Sequence, residues 1–230
     1  MGLLYLLSSD YDTKTKIMLI LFTAVIVVFS LTVHEFSHAL TALAFGDPTA
    51  KNRGRLTLNP LKHMNPIGTI MMLLIGFGYA EPVPINPFHF KNRKAGMAVT
   101  ALAGPLSNFV LALISVVFYR LTVLGILGAT SESAFNVLNI LNLFLYLMAL
   151  MNLSLMVFNM IPIPPLDGSR ILNLFLPERY YFRLMRYEQY IALIFFGIVF
   201  ISTRVFRYDI LFGIPEAIFK GIYNLVSHIF

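Results

Sequence analysis

Four stretches of this chain carry no charged side chain: Ile17 to Val33, Ala95 to Tyr119, Ser133 to Leu166 and Gln189 to Thr203. About 20 apolar helical residues cross the hydrocarbon layer of a bilayer. The chain is therefore expected to fold as an all-α polytopic membrane protein. Composition agrees, since 58% of its 230 residues are hydrophobic and 12% charged, whereas a soluble domain carries about 45 to 50% and about 25%. Disordered, fibrous and ordinary soluble classes are excluded. Cysteine is absent, which removes disulfide frameworks, thiolate metal sites and cysteine nucleophiles. The net charge of +6 records topology in such a chain. No basic stripe interleaved with stacking aromatics points to a nucleic acid. The N-terminal MGLLYLLSSDYDTK has no basic region before its apolar run and meets Asp10 and Asp12 early, so it does not read as a cleaved signal.

The first span begins near Thr15 and ends at Gly46, where Gly-Asp-Pro supplies a helix stop. Residues 47 to 65 form a basic loop, and partial alternation over Arg53 to Pro60 predicts a short strand at the membrane surface. From Asn65-Pro66-Ile67-Gly68 an apolar run reaches Ala80, interrupted by Gly76 and Gly78. It is short for a crossing and suits a re-entrant segment. Residues 81 to 94 read as loop. The second full span, 95 to 119, contains Ala103-Gly104-Pro105-Leu106-Ser107-Asn108, in which Gly104-Pro105 either opens the helix for function or marks a packing kink. The third starts near Ser133 and ends in Phe158-Asn159-Met160-Ile161-Pro162-Ile163-Pro164-Pro165-Leu166-Asp167-Gly168, whose prolines must break it. A further span covers about 188 to 206, and 209 to 230 is a last span or a surface helix. With no repeat or soluble linker, residues 1 to 230 are expected to form one membrane domain of about five to six helices. Its core motifs lie in 30 to 170 and its C-terminal helices in 188 to 230.

Chemistry concentrates at His34-Glu35-Phe36-Ser37-His38. Helix positions i and i+4 share a face, so both imidazoles can ligate one Zn²⁺ while the intervening glutamate reaches its bound water. A random ordering of this composition gives the pattern in roughly 0.3% of cases. Two His and one Glu within a membrane span are costly to bury, by roughly 2.5 to 3.5 kcal/mol for a charged group, and a metal removes much of that cost. Catalytic zinc usually takes three protein ligands. His63, His89 and His228 lie outside or at the edges of the spans and read as surface or interfacial residues. Asp167 is the only acidic residue between Glu132 and Glu178. It is either a carboxylate ligand or part of a turn that caps the next helix.

Topology bears on that choice. For the histidines and Asp167 to reach one depth, the first and third spans must run in the same direction, which needs one crossing between them. The 95 to 119 span supplies it if 66 to 80 is re-entrant. Eleven Lys and Arg residues in 47 to 94 and 159 to 187 face five on the other side. The positive-inside rule then makes the motif side cytoplasmic and the N-terminus external.

These residues resemble the site-2 proteases, intramembrane zinc metalloproteases. The likeness runs through 30 to 170 in order: the HExxH span, GRLTLNP at 54 to 60, GPLSN at 104 to 108 and NMIPIPPLDG at 159 to 168. The resemblance implies that His34, His38 and Asp167 bind zinc, that Glu35 is the catalytic base and that Asn159 and Pro165 help hold an extended substrate strand. It also places Asn108 near the site, where it is counted with the substrate-binding set. Many members carry basic and Trp residues where this chain has Tyr79-Ala80-Glu81, and Asp in place of Asn65. The chain has no room for PDZ or CBS domains, so a minimal core enzyme is expected. Its implied partners are a transmembrane protein substrate and the lipid bilayer, and its implied location is the cell membrane of a prokaryote.

Other classes compete. A metal or ion transporter would line both membrane halves with polar groups, but the N-terminal half of the first span offers only Thr23, Ser30 and Thr32. An inactive protease that only binds membrane segments would not need Glu35. A membrane prenyl protease also uses HExxH but would take a downstream glutamate, Glu178 or Glu188, in place of Asp167.

Overall fold

Asp12 opens the first long helix by accepting hydrogen bonds from the Lys14 and Thr15 amides, 3.0 and 3.2 Å away. The helix, α1 (Thr13–Ala44), stops where Gly46 turns to φ +103°. That backbone lets the Asp47 amide reach back to the Ala42 carbonyl at 2.9 Å. In the computed structural model of the chain, residues 10–65, 68, 81–204 and 210–229 are described. After α1 come α2 (Thr49–Asn52), α3 (Arg93–Leu127), α4 (Glu132–Asn159), α5 (Asp167–Leu172), α6 (Glu178–Arg186), α7 (Glu188–Arg204) and α8 (Ile210–Ser227). Asn92 and Ser131 cap α3 and α4 through bonds to the amides of Ala95 and Ala134. The helices α1, α3 and α4 are long and apolar enough to cross a membrane. Leu21, Val25 and Phe29 on α1 and Leu106 and Val110 on α3 point outward, exposed, as side chains facing lipid would.

Side-chain pairs fix how these helices run. Phe22 meets Phe144 with ring centroids 5.1 Å apart, and Ser30 meets Asn152 at 2.9 Å. Partners therefore advance together along α1 and α4, which are parallel. On α3 the partners retreat: His34 touches Asn108 and His38 touches Thr100. So, among the described helices, α3 is the one that runs back between two that run alike, as the ligand argument requires. Small buried residues, Ala39 and Ala42 on α1, Ala101 and Ala112 on α3 and Ala149 on α4, let the backbones approach closely. The helix α8 packs on the far half of α3 and α4, where Phe219 sits edge-on to Tyr119 and Tyr146.

Two expectations need correction. No strand occurs among the described residues: Arg55 to Asn59 is bend and irregular loop. Side chains rather than a ladder hold it, with Arg55 donating to the carbonyls of Glu81 and Pro82 and His63 Nε2 lying 2.8 Å from the Thr57 carbonyl oxygen. His63 is accordingly buried, 1% exposed, and not a surface group. Its own carbonyl accepts the Glu81 amide at 2.9 Å. The expected re-entrant run, 66 to 80, lies outside the described residues apart from Gly68, whose amide donates to Asn65 Oδ1. The prolines after α4 end that helix at Asn159 as expected.

Asp47 ties the loop after α1 to the loop before α3. Its fully buried carboxylate accepts from the Thr49 amide at 3.0 Å, the Asn86 amide at 2.7 Å and the Thr49 hydroxyl, and meets His89 Nδ1 at 2.7 Å. Burial works to raise its pKa, but the bonds from Thr49, His89 and Asn86 outweigh it and hold the carboxyl below 3.8. A lowered carboxylate stabilises the fold fully above its unfolded value, and that stability is lost as pH falls through the lower folded one. Asp47→Ala is expected to cost about 2 to 4 kcal/mol, read as a lower unfolding temperature in detergent with faster hydrogen exchange at the Asn86 amide.

Candidate metal centre

His34 and His38, one turn apart on α1, carry their rings inward, 4% and 5% exposed. Asp167, 8% exposed, opens α5 after the proline-broken end of α4. The three converge. His34 Nε2 lies 3.0 Å from His38 Nε2, and Asp167 Oδ2 lies 3.1 and 3.2 Å from the two nitrogens. Zinc bonds of about 2.0 to 2.2 Å at tetrahedral angles separate neighbouring ligand atoms by about 3.3 Å, so the triangle has the size of three corners of such a set.

The donor chemistry fits a cation as well as the spacing does. His38 Nδ1 is 2.7 Å from the Thr100 carbonyl oxygen. A carbonyl can only accept, so the ring proton sits on Nδ1 and the Nε2 lone pair faces the centre. His34 Nδ1 is 2.6 Å from Asn108 Oδ1, which assigns the same tautomer. Asp167 Oδ2 is buried with no hydrogen-bond partner among the described residues. Two nitrogen lone pairs and a carboxylate oxygen thus face one point, an arrangement that repels itself unless a cation is shared. These residues can hold zinc, and each imidazole has the supporting partner that metal-bound histidines take on their second nitrogen.

Backbone shape makes the room. A Cβ on Gly104 would lie 2.6 Å from His34 Nε2 and closer to His38 Nε2, so the α3 backbone itself forms a wall of the site. Pro105 withholds the amide that would bond the Ala101 carbonyl, yet α3 continues through it. A Cβ on Gly168 would lie 2.5 Å from the Ile161 carbonyl oxygen, because α5 folds back hard against the end of α4. That fold-back carries Asp167 to the histidines.

Glu35 is 8% exposed, and its Oε2 accepts the Val83 amide at 3.0 Å. Residues 81 to 86, which are neither helix nor strand, therefore run beside the carboxylate, anchored at one end by Arg55 and at the other by Asp47. Asn108 is fully buried against His34. Asn159 closes α4 with its amide on the Leu155 carbonyl at 3.0 Å, and Pro165 is exposed. Neither belongs to the three-ligand cluster. Sequence reading did not select Thr100, Val83 or Asn152. Only Asn152 left a trace, as one of several amides in an apolar helix, where polar groups are seldom idle.

A profile of peptidase family M50 matches residues 22–202, a range that includes all three ligands and Glu35. YwhC of Bacillus subtilis, which carries the name of a zinc metalloprotease, is 37% identical over 79% of this chain and 80% of its own length. Rip2 of Mycolicibacterium smegmatis, named likewise, is 34% identical over 61% of this chain and 52% of that protein. Rip2 of Mycobacterium tuberculosis is 30% identical over 76% and 65% respectively. No solved structure matches the chain.

Gly104→Ala is expected to push the imidazoles apart and weaken zinc binding at least about tenfold, measured by chelator competition on the purified protein. Unchanged affinity would mean that the backbone at 104 does not bound the metal site.

Proposed function

Because the chain belongs to peptidase family M50, the site-2 protease family, we propose that it hydrolyses peptide bonds within or near the transmembrane segments of membrane-protein substrates. The observation that supports this reading most is the triangle of His34, His38 and Asp167 ligand atoms, 3.0 to 3.2 Å on a side, with Glu35 one residue along the same helix.

Zinc held by His34, His38 and Asp167 would supply Lewis acidity, polarising the scissile carbonyl and lowering the pKa of the attacking water toward about 7. Glu35 takes the proton of the attacking water and passes it to the leaving amine. Asp47, Arg55 and the Val83 amide hold the loop that borders this carboxylate. A substrate helix must unwind before cleavage, since its peptide bonds are shielded by their own hydrogen bonds. The extended stretch 81 to 86 is the edge on which the unwound segment would pair, by strand addition. It lies beside Glu35, and Pro82 and Pro84, which have no amide to donate, suit an edge rather than a central strand. Asn159 and Pro165, on the segment leading to Asp167, are proposed to hold that strand from the other side.

The same reading makes the protein a multi-pass resident of a prokaryotic cell membrane with five to six membrane helices. Its supports are α1, α3 and α4, the shorter apolar helix Glu188–Val199, the packed α8 and the bias of basic residues to the motif side. That bias argues for a site reached from the cytoplasm, through which water must enter.

Glu35→Gln is expected to lower cleavage of single-pass membrane peptides by about 10² to 10⁴-fold while zinc content stays at one ion per chain. Asp167→Ala should lose the metal. Cleavage that survives Glu35→Gln would exclude Glu35 as the base, and a natural, zinc-loaded protein that cleaves none of these peptides would exclude the proteolytic reading.

A further inference from the structure

The amide of Asn108 that meets His34 is itself held in one orientation. Asn108 Nδ2 donates to Asn152 Oδ1 at 2.9 Å, and Asn152 Nδ2 donates to the Met148 carbonyl oxygen at 2.9 Å and to Ser30 Oγ at 2.9 Å. Both asparagines are fully buried. A side-chain amide can point either way, and nothing in Asn108 alone decides whether it offers His34 an oxygen or an NH₂ group. A backbone carbonyl has no such freedom because it only accepts. Starting from Met148 the directions follow one another without choice. Asn152 must turn its NH₂ to Met148, so it turns its oxygen to Asn108. Asn108 must then turn its NH₂ to Asn152, so it turns its oxygen to His34. The His34 proton is thereby required on Nδ1, and the Nε2 lone pair is left for the metal.

We propose that Asn152 is a positioning residue of the metal site, fixing the tautomer of His34 through Asn108 from a backbone carbonyl of α4. Without an acceptor at 152 the buried Asn108 NH₂ has no partner there, and a flip of that amide would offer His34 a donor. The ring would then accept at Nδ1 and carry its proton on Nε2, aimed at the position a metal must occupy. His38 needs no such relay because the Thr100 carbonyl acts on it directly. The relay also crosses from α4 through α3 to α1, so the packing of three helices is coupled to the protonation pattern of one ligand.

This inference rests on the metalloprotease reading, but its test is separable. Zinc affinity of the full chain in detergent micelles would be measured by chelator competition for the natural protein, Asn152→Leu and Ser30→Ala. The ¹⁵N spectrum of labelled histidines in the zinc-free natural protein would report the tautomer, with the His34 signal identified by its loss in His34→Gln. The expected results are zinc binding weakened about 10 to 100-fold in Asn152→Leu, affinity within about twofold in Ser30→Ala, since the Met148 carbonyl still directs the amide, and a His34 ring carrying its proton on Nδ1. Three results would overturn the relay: Asn152→Leu binding zinc as the natural protein does, Ser30→Ala losing as much as Asn152→Leu, or a natural His34 protonated on Nε2. The tautomer spectrum decides even if Asn152→Leu fails to fold. A natural chain that takes up no zinc would overturn the metalloprotease reading instead, and the spectrum would still judge the relay.

Discussion

Two imidazole nitrogens and a carboxylate oxygen stand within 3.2 Å of one another in this protein, and each presents a lone pair to the same point. Left to themselves they would separate. What keeps the imidazoles together is a set of bonds on the far side of each ring, from Thr100 to His38 and from Asn108 to His34. What brings the carboxylate is the folding back of α5 on the end of α4, permitted because residue 168 has no Cβ. The small residues that let α1, α3 and α4 approach serve the same end, since a wider spacing would put Thr100 and Asn108 out of reach.

A helix bundle in lipid gains little from expelling water between its helices, so specific polar bonds carry more of the burden of alignment there. The chain from Ser30 through Asn152 and Asn108 to His34 is such a set of bonds. It satisfies polar groups that hydrocarbon would otherwise leave unpaired, and it ties the three helices at the level of the metal site. Outside the helices a second network, Asp47 with His89, Thr49 and Asn86 and Arg55 with the Glu81 carbonyl, fixes residues 81 to 86 against Glu35. Ligands and base are thus held by different sets of bonds, joined through adjacent residues of α1.

Much of this was legible before any coordinates. The four-residue spacing of His34 and His38 fixes them on one helix face whatever surrounds it, and the uncharged runs locate the long helices, although α1 continues past its run to Ala44 and α3 past its run to Leu127. Asp167 was reachable by a weaker route: its isolation after a proline-broken helix raised it, and the requirement for like-directed helices favoured it. Asn152 was not reachable. The helix α4 also carries Asn136, Asn139 and Asn142, and which amide meets Asn108 depends on the register of two packed helices, a tertiary quantity absent from local pattern. Asn142 meets Tyr119 and Thr122 instead. His89 is exposed, as its place in a loop implies, although its ring meets the buried Asp47; His63 is buried despite the same kind of place, because the Thr57 carbonyl draws its ring inward. The expected strand failed for a related reason. Alternation makes a strand only where a partner edge pairs with it, and among the described residues the Thr57 carbonyl meets the His63 ring while the Arg55 side chain takes the carbonyls of Glu81 and Pro82.

The separation of ligands from base has a mechanistic consequence. A metal site must be rigid, because displacement of one ligand by a fraction of an ångström weakens the set, and the interior amides supply that rigidity. A base that passes a proton from water to a leaving amine must meet two partners in turn. Glu35 is held on one oxygen by the Val83 amide, in the loop before α3, rather than by a packed helix, and the proposed function makes that loop the substrate edge. Under the proposed function, occupancy of that edge and orientation of the base would therefore be one event. On that reading, a segment bound along 81 to 86 would act on the Val83 amide, and through it on Glu35, without disturbing the imidazoles, whose partners lie on α3.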